Sequence, residues 1–128
     1  MNYLLDTQAF LWWSDKYQLL SEKAYSICDD PNNDLLLSIA SVWEIQIKVN
    51  LGKLTLPAPL SEIISKQLET NRFELLHIEL SHIYGLARLP HHHKDPFDRM
   101  LVAQAKAENL SLISHDPMMK QYSIPVIW

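Results

Sequence analysis

Five short runs of apolar residues have the length and the flanking residues of buried β-strands. Each run is bounded by polar or turn-forming residues, as strands in a buried sheet usually are. The runs are Tyr3–Leu5, Leu35–Leu37, Leu75–Ile78, Leu110–Ile113 and Val126–Ile127. The sequence therefore predicts a sheet of short strands.

Between these runs, apolar residues recur at the spacing of one helix face, and residues that favour helix starts precede them. The predicted helices are one capped by Thr7 and carrying Phe10–Trp13, one from Ser21 to Cys28, one opened by Ser38 or Ser41 and fading at Gly52, one from Ser61 through Leu68, one over Leu80–Leu89, and one from Asp95 and Pro96 through Glu108. Strand and helix alternate throughout. The pattern predicts an α/β domain, a three-layer α/β/α sandwich with a mainly parallel central sheet, and a single domain over residues 1–128.

Composition narrows the class of protein. A net charge of −4 and a pI of about 5.8 provide no basic field for general nucleic-acid binding, so a polyanionic substrate would need metal ions and a local patch. Cys28 is the single cysteine and cannot form an internal disulfide. No apolar stretch approaches the roughly 18 residues of a membrane span. These features predict a soluble cytoplasmic protein without a membrane partner.

Four carboxylates follow predicted strands or begin predicted helices: Asp6, Glu44, Asp98 and Asp116. In an open parallel sheet the functional crevice lies beyond the carboxyl ends of the strands, where these acids should meet. Crowded carboxylates raise one another's pKa or recruit a metal ion. Because all the ligands are oxygen atoms, Mg²⁺ or Mn²⁺ is the expected cofactor.

Each acid also has a structural interpretation. Helix caps, capping boxes and turns use the same residue types at the same positions. Asp6 can cap the following helix, Glu44 can form a capping box with Ser41 or an ion pair with Lys48, Asp98 can favour the helix dipole, and Asp116 before Pro117 can form a turn. Only their joint arrangement favours a site.

Two aromatic clusters have less specific interpretations. Consecutive histidines cannot all face one ion, so His91–His93 is predicted to be a solvated loop. Trp12 and Trp13 must point in different directions on a helix, so we expect one in the core and one partly exposed. An exposed tryptophan there would suit a protein interface.

The order of the motifs resembles one protein family. The chain carries LLDT at its start, SIASVWE in the middle, DPFDRMLVAQA near residue 100 and a late strand ending in SHD. Together these motifs resemble PIN-domain ribonucleases, specifically the VapC toxins of bacterial toxin–antitoxin pairs. The resemblance covers nearly the whole chain.

This resemblance implies an endoribonuclease that uses Mg²⁺ or Mn²⁺ to activate a water molecule, leaving 5′-phosphate and 3′-hydroxyl ends. It also implies a cognate antitoxin, and with the apolar N-terminal helix it suggests a homodimer. By position, Asp6, Glu44, Asp98 and Asp116 match the family's metal-binding acids, and Asp95 and Ser114 match supporting positions. Lys94 and Arg99, the nearest cations in sequence, are candidates for RNA contact or for a solvated helix start.

Other functions fit less well. An aspartyl-phosphate phosphatase needs a second aspartate where this chain has Gln8, and a response-regulator receiver needs an acid at the end of the Leu35–Leu37 strand. The remaining alternative is a catalytically inactive PIN-like module that binds RNA or protein.

Overall fold

The computed structural model describes residues 1–70 and 73–128, and its centre is a five-stranded sheet in the order β3-β2-β1-β4-β5. All neighbouring strands pair in parallel. The strands are β1 Asn2–Leu5, β2 Asp34–Ser38, β3 Phe73–Leu76, β4 Ser111–Ile113 and β5 Val126–Ile127. The helices are α1 Thr7–Asp15, α2 Glu22–Asp29, α3 Ile39–Asn50, α4 Leu60–Glu69, α5 Leu80–Leu86 and α6 Pro96–Ala107, and short 3-10 turns cover Tyr17–Leu19 and Pro117–Gln121.

The alternation of side chains along each strand produces two cores. Leu5 and Leu37 belong to the core on one face of the sheet, where helices α1 to α4 contribute most of the packing. Leu4 and Leu112 belong to the opposite core with Leu101 of α6. Because both faces are covered, the strands are apolar on both sides, as parallel sheets require. The predicted three-layer α/β/α fold is confirmed.

Strand order places a crevice at the centre of the sheet. From β1 the chain adds β2 and β3 on one side, and later adds β4 and β5 on the other. The connections after β1 and β4 therefore separate at the carboxyl edge, which is where ligands bind in open α/β sheets. Within residues 1–70 and 73–128, no helix combines the length and apolar character needed to cross a membrane.

Several predicted boundaries differ from the structure. Asp6 caps α1 by accepting a hydrogen bond from the Ala9 amide, so the prediction that Thr7 caps this helix is wrong. Ser38 caps α3, and Ser41 is buried in the first turn of the helix. Helix α4 begins one residue before Ser61.

The predicted bounds of β3 and α5 are wrong. Strand β3 covers Phe73–Leu76, two residues before the predicted run, because Phe73 is buried opposite Leu35 of β2. Helix α5 ends at Leu86, three residues earlier than predicted. The prediction that one of Trp12 and Trp13 lies in the core while the other is partly exposed is also wrong, since both are half-buried.

Candidate active site

A cleft of about 250 Å³ opens at the carboxyl edge of the sheet, beside the connections that follow β1 and β4. It brings together all four acids of the predicted quartet and the supporting Asp95. The lining residues are Asp6, Thr7, Gln8, Leu11, Glu44, Lys48, Asp95, Asp98, His115 and Asp116. Five carboxylates from four segments of the chain therefore share one small space.

Asp6 lies at the floor of the cleft, directly after β1, and is 6% exposed. One carboxylate oxygen accepts a hydrogen bond from the Ala9 amide at 2.8 Å, and the other accepts one from the Ser114 hydroxyl at 2.5 Å. Burial raises the pKa of Asp6, the two hydrogen bonds lower it, and the charges of Asp116 and Glu44 raise it further. Asp6 therefore both caps α1 and presents a carboxylate to the cleft, so the two interpretations of this residue are compatible.

Glu44 reaches the cleft from the second turn of α3 and is 5% exposed. Its carboxylate accepts a hydrogen bond from the Thr7 hydroxyl at 2.7 Å and pairs with Lys48 at 2.8 Å. The predicted ion pair is confirmed, whereas the capping box with Ser41 is wrong because Ser38 is the cap. The hydrogen bond that the Lys48 ammonium donates to Glu44 is the main cause of a raised Lys48 pKa, against the opposing effect of partial burial.

Thr7 and Lys48 are site residues that sequence reasoning did not identify. The Thr7 hydroxyl also lies 3.0 Å from the Ser41 hydroxyl, so α1 and α3 are joined through buried polar groups. Among the described residues that line the cleft, Lys48 is the one lysine or arginine. A single amine therefore faces five carboxylates, and the site carries excess negative charge.

Asp95 and Asp98 enter the cleft at the start of α6. Asp95 caps the helix by accepting hydrogen bonds from the Phe97 and Asp98 amides at 2.8 and 3.2 Å. The pKa of Asp98 is raised to about 7, first because the carboxyl group is buried and then because Asp95, Asp6 and Glu44 are nearby; His93 opposes the shift. The crowding inferred from the sequence is therefore present at Asp98.

His93 lies within hydrogen-bonding distance of two acids. Its Nε2 is 2.8 Å from Asp116 Oδ2 and 3.1 Å from Asp98 Oδ2, and the side chain is 17% exposed. For this residue the prediction of a solvated loop is wrong. Only one of the three histidines faces the acids, which agrees with the argument that consecutive residues cannot converge, but the sequence contains no signal for which one.

The hydrogen bonds of His93 fix its tautomer. Its Nδ1 accepts a hydrogen bond from the Asp95 amide at 3.1 Å, so the proton of the neutral ring is on Nε2. That N–H points at the carboxylates of Asp98 and Asp116. A histidine that binds a metal through Nε2 normally donates from Nδ1, which this backbone amide prevents. His93 therefore acts here as a donor to the acids.

Asp116 and Ser114 complete the rim. One Asp116 oxygen accepts from the Met118 amide at 2.9 Å, and the other contacts His93. Ser114 Oγ donates to Asp6 and accepts from the Asp116 amide at 3.1 Å, so the predicted supporting residue contacts two acids that come from different strands. Asp116 is the more exposed of these acids, with one third of its side chain accessible.

The two predicted RNA-contacting cations lie outside the lining of the cleft. The Arg99 guanidinium donates to the carbonyl oxygens of Pro90 and Leu89 at 2.9 and 3.4 Å, and lies 3.5 Å from the Tyr122 hydroxyl. These contacts hold the loop before α6. Lys94 is exposed on the same loop.

The donor set fits a hard divalent cation. Five carboxylates face the cleft, two of them are buried, and the described lining supplies one amine to balance them. Ligand atoms of Asp98, Asp116 and His93 all lie within 4.8 Å of one another. Because His93 uses its Nε2–H as a donor, the free ligand atoms of this group are the carboxylate oxygens of Asp98 and Asp116, and these suit Mg²⁺ or Mn²⁺ better than zinc.

Comparison with solved structures identifies similar folds in toxin–antitoxin complexes. The similar chains include VapBC2 from Rickettsia felis, solved with a promoter DNA fragment (TM-score 0.71, 17% identity, 99% of this chain and 98% of that chain). They also include VapBC-1 from nontypeable Haemophilus influenzae (0.65, 19%, 99% and 97%) and FitAcB from Neisseria gonorrhoeae (0.62, 18%, 98% and 96%). At these identities the similarity establishes the fold.

Sequence comparison establishes the family. No curated protein sequence matches the chain. The profile described as PIN domain, however, matches residues 3–125, a span that contains every acid of the cleft. The chain therefore belongs to the PIN domain family.

Proposed function

We propose that this protein is a metal-dependent endoribonuclease and the toxin of a toxin–antitoxin pair. The observation that carries the proposal is the convergence of five carboxylates in one cleft, with the pKa of Asp98 raised to about 7. A protein that had no cation to bind would gain stability by replacing such acids. Membership of the PIN domain family supports nuclease chemistry at this site.

Each acid has a defined part in the proposed chemistry. Asp6 and Asp98 would be the direct ligands of Mg²⁺ or Mn²⁺, and Glu44 and Asp116 would bind it directly or through water. The bound ion would lower the pKa of a water molecule and offset charge on the scissile phosphate. Asp95 supports Asp98 from the helix cap, and Ser114 fixes the Asp6 carboxylate by donating to it.

Two side chains that carry N–H donors contact the acids of the cleft. Lys48 offsets part of the charge of Glu44, and His93 holds Asp98 and Asp116 through its Nε2–H. Water would attack phosphorus and break the P–O3′ bond, as the resemblance to PIN-domain ribonucleases implies, and the departing 3′-oxygen would take up a proton. The RNA 2′-hydroxyl takes no part, so the products should carry 5′-phosphate and 3′-hydroxyl ends. Lys94, exposed beside the cleft loop, remains a candidate phosphate contact, and Arg99 would act by holding that loop.

The partner belongs to the same proposal. The similar folds come from complexes described as VapBC, FitAcB and a toxin–antitoxin complex from Klebsiella pneumoniae. A cognate antitoxin should insert an arginine or lysine between the acids, where it can form charge-assisted hydrogen bonds. A homodimer and a cytoplasmic setting complete the proposal.

Induction of the chain in bacteria tests the toxin function. Growth should stop, and sequencing of cellular RNA ends should reveal new 5′-phosphate ends, whereas Asp6→Asn should restore growth and remove those ends. Glu22→Gln, an exposed acid in the first turn of α2, is the matched control and should behave as wild type. If wild-type chain and Asp6→Asn generate the same RNA ends, the proposed nuclease is wrong. An inactive binding module would generate none.

A further inference from the structure

Three aromatic rings from distant segments meet beside the acidic cleft. Ring centroids of His115 and Trp128 are 5.1 Å apart, those of Trp12 and Trp128 are 5.7 Å apart, and those of Trp12 and His115 are 6.1 Å apart. Each ring therefore contacts both others at distances typical of aromatic pairs. We call these three residues the aromatic triad.

The triad has a buried side and an open side. Trp12 and Trp128 are half-buried and pack against the core under α1. His115 is exposed and lines the acidic cleft. An exposed side chain ordinarily loses rotamer freedom when it binds a ligand, but this ring is already held by two tryptophans. The triad therefore presents a fixed aromatic surface to whatever enters the cleft.

The position of His115 relates this surface to the proposed chemistry. His115 precedes Asp116 in the chain, so their Cα atoms are about 3.8 Å apart and both side chains line the same cleft. When a phosphate of an RNA strand is held among the acids of the cleft, the bases next to that phosphate are held near the cleft as well. A base is flat and uncharged, so it can approach the acidic rim where a free anion would be repelled.

We propose that the aromatic triad is a base-stacking subsite for single-stranded RNA, in which a nucleobase next to the scissile phosphate stacks on His115. This inference rests on the proposed function because it assigns a substrate contact to the same cleft. Stacking on an aromatic ring suits bases that are not paired, and it tolerates different base identities. The chain therefore binds unpaired RNA, with base stacking supplying part of the affinity that its acidic surface does not.

Binding of two matched probes tests the subsite without cleavage. The first probe is single-stranded oligoadenylate of about 12 nucleotides, within the site sizes of single-strand binding domains, and the second is the same sugar–phosphate backbone without bases. Binding is measured by fluorescence anisotropy in Ca²⁺. Wild-type chain should bind the first probe about tenfold more tightly than the second, the range expected for one stacked base.

Two substitutions separate stacking from other roles of His115. His115→Ala should abolish the preference for the probe with bases and leave binding of the baseless probe unchanged. His115→Phe keeps an aromatic ring and should keep the preference. Tyr84→Ala removes an exposed aromatic side chain on α5, outside the cleft, and should match wild type.

The outcomes distinguish this inference from the proposed nuclease. If wild type lacks a base preference, or if His115→Ala retains it, the subsite is wrong even when the chain cuts RNA. If the preference depends on the ring at position 115 but no RNA is cut with any divalent metal, the subsite holds and the nuclease is wrong.

Discussion

Replacing Asp98 with asparagine should stabilise the metal-free protein. The pKa of this carboxyl group is raised from 3.8 to about 7, mainly by burial and then by neighbouring acids. The folded state therefore prefers the protonated acid. The stability that this carboxyl group contributes is fully present below about pH 4 and is lost as the pH rises through about 7, because the buried group must then ionise. Asparagine does not ionise, so the variant escapes this loss.

The magnitude decides between two interpretations of Asp98. Each pKa unit corresponds to about 1.4 kcal/mol, so the shift sets an upper limit of about 4 kcal/mol on the gain. Against it stand the lost helix-dipole interaction, about 0.3–1 kcal/mol, and a weaker hydrogen bond to His93, about 1 kcal/mol. We therefore expect a net gain of about 1–3 kcal/mol near pH 8. For a chain of this length the melting temperature should rise by roughly 3 °C for each kcal/mol.

Thermal unfolding in EDTA across this pH range is the assay. The melting temperatures of wild type and Asp98→Asn should separate as the pH rises from about 4 to about 8, because residue 98 ionises in that range only in wild type. Glu22→Gln, which removes an exposed first-turn acid from α2, should melt slightly earlier than wild type near pH 8. If Asp98→Asn also melts earlier and cuts RNA normally, Asp98 is a helix-start acid and the cluster argument is wrong.

Three further changes test individual contacts in the cleft. His93→Ala should weaken Mn²⁺ binding about tenfold, the loss typical of a residue that orients ligands, whereas His93→Gln keeps an N–H donor and should bind Mn²⁺ nearly as well as wild type. Calorimetric titration measures these affinities, with His91→Ala as the control. Equal affinity of all variants would contradict the role of His93. Lys48→Met leaves buried Glu44 without its cation and should lower the free energy of unfolding by about 1–3 kcal/mol in EDTA, a deficit that saturating Mn²⁺ should reverse. A deficit that persists in Mn²⁺ would show that Lys48 acts outside the metal site. A cognate antitoxin should bind Asp6→Asn less tightly than wild type in a pull-down titration, and unchanged affinity would count against insertion of a cation between the acids.

The acids can be predicted from the sequence because the end of a short apolar run marks the end of a strand. Asp6 and Asp116 each follow a short apolar run, and a parallel sheet must bring such positions to the same edge. Asp98 follows from the Asp95-Pro96 helix start. From the sequence, capping α1 and lining the cleft are alternatives for Asp6, yet the residue does both, because one carboxylate oxygen accepts from the Ala9 amide and the side chain lines the cleft.

Other features depend on tertiary contacts that no local pattern encodes. His93 reaches Asp116, which is distant in the chain, through the conformation of an irregular loop. The position of β3 follows from pairing Phe73 with Leu35 rather than from the most apolar run. Hydrophobic pattern therefore predicted the layers and the edge that holds the site, while loop conformation and strand register required the structure.

Cleavage of RNA by the purified chain tests the central claim most directly. With Mn²⁺ or Mg²⁺, wild type should cut single-stranded RNA and leave 5′-phosphate and 3′-hydroxyl ends, while excess EDTA or Asp6→Asn should abolish cleavage. Full cleavage in excess EDTA, or products that end in 2′,3′-cyclic phosphate, would contradict a metal-dependent centre in which water attacks the phosphate.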